Sequence, residues 1–192
     1  MTAPLPRGTE NTGRAERLFI ALTLPPAIRD EVAALAEPMS GLSWTQPEQL
    51  HMTLRFLGDV PEAQVGPMMD RLATVHVEPF ILPVEGVGTF PPNRPPRVLW
   101  VGAGTGHPRL FQLRQKVDDA VLASGVDMDV RTFHPHITIA RCGAELSPAF
   151  PQWLHRHAEF AAASFRVEAF DLHASELRPS GAIHTLKRHF TL

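Results

Sequence analysis

The octad His51-Met52-Thr53-Leu54-Arg55-Phe56-Leu57-Gly58 returns later in the chain as His136-Ile137-Thr138-Ile139-Ala140-Arg141-Cys142-Gly143. Both copies read His, apolar, Thr, apolar, two variable positions, apolar, Gly. In an extended strand successive side chains alternate between faces, so His and Thr two apart point the same way while their apolar neighbours point into a core. Each copy therefore presents an imidazole and a hydroxyl on one surface. Two such strands facing each other supply two imidazoles that can divide general-acid and general-base work, and two hydroxyls to hold an oxyanion. In-line displacement at phosphorus needs a base on the attacking side and an acid on the leaving side, so the pair points to phosphodiester chemistry without a metal. Arg141 and Arg55 are the cations nearest in sequence that could add charge at a phosphate.

Two other readings compete for these residues. A duplicated fold could repeat both strands for packing alone, but packing asks for the apolar positions and not for His and Thr. A zinc or iron site would want three or four ligands, often carboxylates or thiolates at close spacing. Neither octad contains Asp or Glu, and Cys142 is the only cysteine, so it reads as a structural thiol. His155 and His157 form a second pair, but a helix there would send their rings to different faces. No metal and no other cofactor is expected. The run Gly102-Ala-Gly104-Thr-Gly106 reads as a turn into a helix, and no nucleophile-elbow motif is present. Among the remaining histidines, His134 and His184 are the better candidates for touching a ligand.

The elements that must position these groups can be read around them. Residues 17–23 (RLFIALT) form a short apolar run, expected as a buried strand, with Pro25-Pro26 opening an amphipathic helix through about residue 39. The first motif strand covers 50–57, and 61–75 reads as a second helix. Residues 80–90 suggest a long strand or bent hairpin arm, and 90–97, with four prolines, a loop. A strand at 98–102 and a helix at 108–124 follow. The second motif strand covers 133–141, its entry held extended because His134 precedes a proline. A short helix at 148–160 and strands at 164–172 and 182–192 complete the chain. Strand, helix and motif strand recur in each half. The fold class expected is a duplicated α+β unit, bilobal, with two antiparallel sheets facing a central cleft and helices outside.

Composition narrows the setting. The chain has 192 residues, 44% apolar and 20% charged, ordinary proportions for a globular protein with a sizeable core. Residues 1–16 are polar with Pro and Gly and lack the apolar stretch of a secretory signal, so they are expected to be a disordered tail before a single domain at 17–192. No apolar run is long enough to span a membrane. One cysteine fits a reducing cytoplasm. A net charge of −2 argues against a protein that coats long nucleic acid, and leaves a small ligand or the end of a polynucleotide.

On these motifs the chain resembles the two-histidine phosphoesterases. Its flanking sequence is similar to that of the bacterial and archaeal RNA 2′,3′-cyclic phosphodiesterases, also called 2′-5′ RNA ligases. The residues that carry the resemblance are Arg17-Leu-Phe-Ile-Ala-Leu22, the two octads, Phe90-Pro91, Arg97-Val-Leu-Trp100-Val-Gly102, the segment from Phe133 to Arg141, and Leu172-x-x-Ser175-Glu-Leu177-x-x-x-Gly181. The resemblance implies a bilobal fold that hydrolyses a terminal 2′,3′-cyclic phosphate of RNA or nucleotides to a 2′-phosphomonoester without a cofactor; a monomer is expected. It assigns His51 as the acid that protonates the departing 3′ oxygen, His136 as the base for water, and Thr53 and Thr138 to the phosphate. It further implies that Arg141 contacts the ligand and Phe56 stacks on a nucleobase. Strict alternation places both on the face opposite their histidines, unless each strand ends or bulges there. The family commonly has a Tyr where this chain has His184, and the chain has no Tyr. Two alternatives stay open: a module that binds nucleotide or RNA ends without turnover, and a phosphodiesterase of another small cyclic phosphate.

Overall fold

The computed structural model describes residues 14–92, 94–128, 132–178 and 181–192. Of the expected tail, residues 1–13 lie outside the described residues. The first strand, β1 (Ala15–Thr23), begins two residues before the expected domain start at 17, because Ala15 and Glu16 still find partners in Pro61 and Val60. Strand β1 leads into α1 (Pro26–Ala33), β2 (Leu42–Trp44), a 3-10 turn at Pro47–Gln49 and the first motif strand β3 (His51–Pro61). There follow α2 (Glu62–Leu72), β4 (Phe80–Glu85), β5 (Val87–Phe90), β6 (Val98–Gly102), α3 (Pro108–Ala123) and the second motif strand β7 (His136–Cys142). The chain closes with α4 (Phe150–His157), β8 (Ala161–Val167), β9 (Ala169–Arg178) and β10 (Gly181–Thr191).

Two antiparallel half-sheets form the two lobes. One runs β10-β9-β1-β3 and the other β7-β6-β5, with β2 on the far part of β7; they join into one eight-stranded sheet through the pair Met52–Ile137. A separate two-stranded sheet pairs β4 with β8. Within each half the repeat expected from sequence recurs: a strand, a helix, then the motif strand returning beside the first (β1-α1-β3 and β6-α3-β7).

One face of the motif strands is sealed into the core. Met52, Leu54, Leu57, Ile137 and Ile139 are all buried, as are Val65, Met68 and Leu72 of α2 and Leu110, Leu113, Val117 and Val121 of α3. An ion-pair cluster threads this layer. The Arg55 Nε donates to Asp118 Oδ1 at 2.7 Å, and Arg114, one helical turn before, pairs with the same carboxylate. Arg55 is thus buried against α3 and cannot add charge at a phosphate on the other face, which corrects the expectation drawn from its place in the octad. Losing one partner of such a buried cluster leaves an uncompensated charge, so it fixes how α3 docks on β3.

Several boundaries differ from those read in the sequence. Helix α1 stops well short of residue 39; Pro38 disfavours the helical region at Glu37, and the chain leaves through tight turns at Leu35 and Ala36. The arm at 80–90 is two strands broken at Gly86, which sits at φ +77. The strand expected at 164–172 is the end of β8 and the start of β9, because the chain changes sheets at Glu168. Among the described residues no helix is long and apolar enough to cross a membrane.

Candidate active site

The pairing of β3 with β7 is antiparallel and centred on the second residue of each octad, Met52 opposite Ile137. In an antiparallel ladder this register sets position 51 across from 138 and position 53 across from 136. Each motif histidine therefore stands across from the other motif's threonine, on the face opposite the sealed core. Met52–Ile137 is the one pair that joins the two strands among the described residues, and the four residues around it, His51, Thr53, His136 and Thr138, are all partly accessible, which makes this junction the candidate cleft.

Register also settles where Phe56 and Arg141 point. In β3, Thr53 pairs with Ala21 and Arg55 with Ile20, so Leu54 is an extra residue with no partner. In β7, Thr138 pairs with Trp100 and Ala140 with Leu99, so Ile139 is extra in the same way. A β-bulge adds one residue and shifts all later side chains to the other face. Phe56, opposite Phe19, and Arg141, opposite Val98, thereby join the face that carries the histidines. Strict alternation predicts the reverse, and the bulges overturn it. The burial pattern records the same event twice: partly buried, buried, partly buried, buried, buried, exposed over the first six positions of both octads.

The two imidazoles are held alike. The His51 Nδ1–H donates to the carbonyl of Gln49 at 2.6 Å, and the His136 Nδ1–H donates to the carbonyl of His134 at 2.7 Å. A carbonyl can only accept, so each neutral ring keeps its proton on Nδ1 and presents a bare Nε2 for chemistry. Both acceptors lie two residues before their histidine, on the 3-10 turn in one case and beside Pro135 in the other. The Thr53 hydroxyl donates to His51 Nε2 at 3.1 Å.

Their surroundings differ. His51 meets Phe19 at 4.9 Å between ring centroids and His184 at 5.2 Å, and Phe19 in turn is stacked on His173 at 5.1 Å. His136 has Phe90 edge-on at 5.0 Å and Trp100 at 6.4 Å. The Trp100 ring lies over Gly88, its partner on β5, where any Cβ would collide with it. Burial pushes the His51 pKa down to about 4, against the pull of the Gln49 carbonyl and with help from His184, His173 and His136. Burial also lowers His136, against the pull of the His134 carbonyl and with a smaller push from the His134 ring. The position-six residues differ as well. Phe56 is 67% exposed, and Arg141 is exposed with no side-chain partner among the described residues.

Phe19, Phe90, Trp100 and the carbonyls of Gln49 and His134 have no role in the motif reading. Phe19 shares parity with Ala21 and Thr23 on a strand beside the first motif, a signal usable only once the β1–β3 register is known. His155 and His157 stay apart from the cleft on α4, where His157 Nδ1–H donates to the Trp153 carbonyl at 2.8 Å. Among the described residues no three His, Cys, Asp or Glu side chains are grouped so as to hold a metal ion.

The family model for LigT-like phosphoesterases matches residues 22–100 and again 101–184, one copy for each motif. An RNA 2′,3′-cyclic phosphodiesterase of Thermus thermophilus is 36% identical over 192 residues, covering 92% of this chain and 90% of the relative. Another, from Aeropyrum pernix, is 34% identical over 158 residues, covering 82% of this chain and 88% of the relative. Among solved structures, E. coli LigT complexed with 3′-AMP aligns with a TM-score of 0.76 at 25% identity, over 93% of this chain and 99% of that one.

Proposed function

Because the chain belongs to the LigT-like phosphoesterase family, we propose that its cleft hydrolyses a terminal 2′,3′-cyclic phosphate of RNA or a nucleotide to a 2′-phosphomonoester. The observation that carries this reading is the diagonal pairing of two His-x-Thr units about Met52–Ile137, each imidazole presenting Nε2 to the same cleft. The His136 Nε2 takes a proton from water as its oxygen bonds to phosphorus. The bond from phosphorus to the 3′ oxygen breaks, and the His51 Nε2–H protonates that oxygen. Thr53 and Thr138 hold the non-bridging oxygens, with Arg141 adding a positive charge and Phe56 an apolar face for the base.

The electrostatics support this division when the substrate's own charge is included. In the free protein burial keeps His51 neutral, and an imidazolium of low pKa is a strong acid once it forms. A cyclic phosphate brings an anion to Nε2, which favours the charged ring. The pair then titrates as a unit with one proton between them, and activity follows a bell-shaped pH profile. Both histidines come from one chain, which supports a monomer as the working unit. The half-buried Cys142 thiol and an RNA-end substrate support a cytoplasmic setting.

The test is incubation with oligonucleotides and mononucleotides ending in a 2′,3′-cyclic phosphate, with products identified by phosphorus NMR. A 2′-phosphate is expected. A predominantly 3′-phosphate product would remove His51 as the acid while leaving two-histidine catalysis in place. Binding without turnover across the panel would favour an RNA-end binding module. Activity lost to a chelator and restored by a divalent ion would favour a metal mechanism.

A further inference from the structure

The β9–β10 hairpin brings a third imidazole to the cleft. His184 pairs with Ser175, two residues along β9 from His173, so both rings lie on the sheet face that carries Phe19 and His51. The His184 ring meets Phe19 edge-on at 4.8 Å and His51 at 5.2 Å with an interplanar angle of 77°. Gln49 ties the hairpin to the motif. Its carbonyl holds His51 Nδ1, while its side-chain amide donates to the carbonyl of Ala182, two residues before His184. The His184 ring is partly buried, yet neither of its nitrogens has a hydrogen-bond partner among the described residues. An unpartnered ring with two nitrogen positions, fixed next to an acid–base histidine, is placed to meet whatever anion that histidine meets.

We propose that His184 contacts the bound phosphate and takes up a proton when the anion binds, giving the site a third imidazole that favours a doubly charged phosphomonoester over a singly charged cyclic ester. This rests on the phosphate-site reading above. Two imidazolium ions about 5 Å apart repel each other, so the free protein keeps both rings neutral; a dianion between them reverses that balance. The titratable groups facing His184 are His51 from β3 and His173 from β9, and β1 contributes the neutral Phe19. The charges along the hairpin are closed in ion pairs, Lys187 with Glu16 at 2.8 Å and Arg178 with Glu176 at 3.0 Å. Burial lowers the His184 pKa in the free protein, and His173 lowers it further, which leaves room for an upward shift on binding. The functional consequence is product inhibition that strengthens as pH falls from 8 to about 6, where the phosphomonoester itself begins to protonate.

Sulfate is the probe of choice, since it stays a dianion throughout the range and any proton taken up belongs to the protein. The His184 ring is followed by NMR across pH 5–8 with and without saturating sulfate, its resonance assigned by its loss in His184→Asn. Sulfate is expected to raise the His184 pKa by about one unit. At pH 6 both His184→Asn and His184→Phe, the latter keeping the ring packed on Phe19, should bind sulfate a few-fold more weakly than the parent, the difference growing toward about 10-fold at pH 5 and vanishing at pH 8. A His184 titration unchanged by sulfate that moves the His51 or His136 resonance overturns the proposal and leaves the phosphate site standing. Sulfate that moves no imidazole overturns it as well. Cyclic-phosphate turnover by the parent protein separately decides whether the site itself was misread.

Discussion

The two halves of the cleft share a backbone and differ in what surrounds it. In both, an octad histidine is pinned through Nδ1 to the carbonyl two residues earlier, a bulge falls at the fourth position, and the sixth residue turns into the cleft. Around His51 stand Phe19, His184 and His173; around His136 stand Phe90 and Trp100, with Arg141 further along the strand. The repeated backbone supplies what any in-line displacement needs, an acid and a base on opposite sides of phosphorus. The unlike neighbours decide which histidine does which and which way round a substrate lies. A symmetric site would accept a cyclic phosphate in either orientation; one wall ending in Phe56 and the other in Arg141 would not.

The most direct way to break the comparison is to remove each imidazole in turn. His51→Ala and His136→Ala should each lower turnover of a cyclic-phosphate oligonucleotide by at least about 10²-fold with the fold intact. The double variant should be little worse than the poorer single one, because both groups act in one displacement. Near-normal turnover in either folded single variant would remove the shared mechanism.

Next come the hydroxyls. Thr53→Val or Thr138→Val should cost roughly 10–10³-fold in kcat, more than in ground-state binding, with Thr→Ser milder at both sites. Thr53 also donates to His51 Nε2, so its loss should shift the pH profile more than the loss of Thr138. Equal profiles would mean that this contact does not persist in the complex.

The walls are tested by smaller effects of different kinds. Arg141→Ala should raise KM about 10-fold and reduce the salt dependence of kcat/KM, since it removes a charge facing phosphate. Phe56→Ala should raise KM a few-fold without changing the salt dependence, as expected for lost stacking. If both variants respond to salt alike, the two walls are not chemically distinct.

The last test concerns stability rather than turnover. His51 titrates near 4 in the folded protein and near 6.5 when unfolded, so the unfolded chain binds more protons between those values. Its contribution is complete above about pH 6.5 and is lost as pH falls toward 4, by at most roughly 3 kcal/mol. Urea unfolding at pH 7 and pH 5 should show this loss in the parent protein and a shallower one in His51→Gln. Equal pH dependence in the two would place the destabilising protonation on other histidines.

Much of this was legible in the residues. The octads announced both motif strands, the apolar positions announced their buried face, and Pro38 and Gly86 carried the signals for breaks that a reading by hydrophobic period passes over. What the sequence could not supply was register. The parity of Phe56 and Arg141 depends on one extra residue at Leu54 and at Ile139, and nothing in the side-chain types at those positions distinguishes a bulge from an ordinary strand residue.

The sequence by itself determined the paired histidines, the paired threonines and the α+β repeat that carries them, because those depend on residue type and on spacing within a single strand. Only the tertiary structure decided that the octads meet at Met52 and Ile137, that Arg55 belongs to Asp118 rather than to the cleft, and that His184 stands beside His51. Each of these joins residues far apart in the chain. Such contacts are set by strand register, by a bulge and by a buried charge seeking its partner, which are properties of the packed sheet and its helices rather than of any local run of residues.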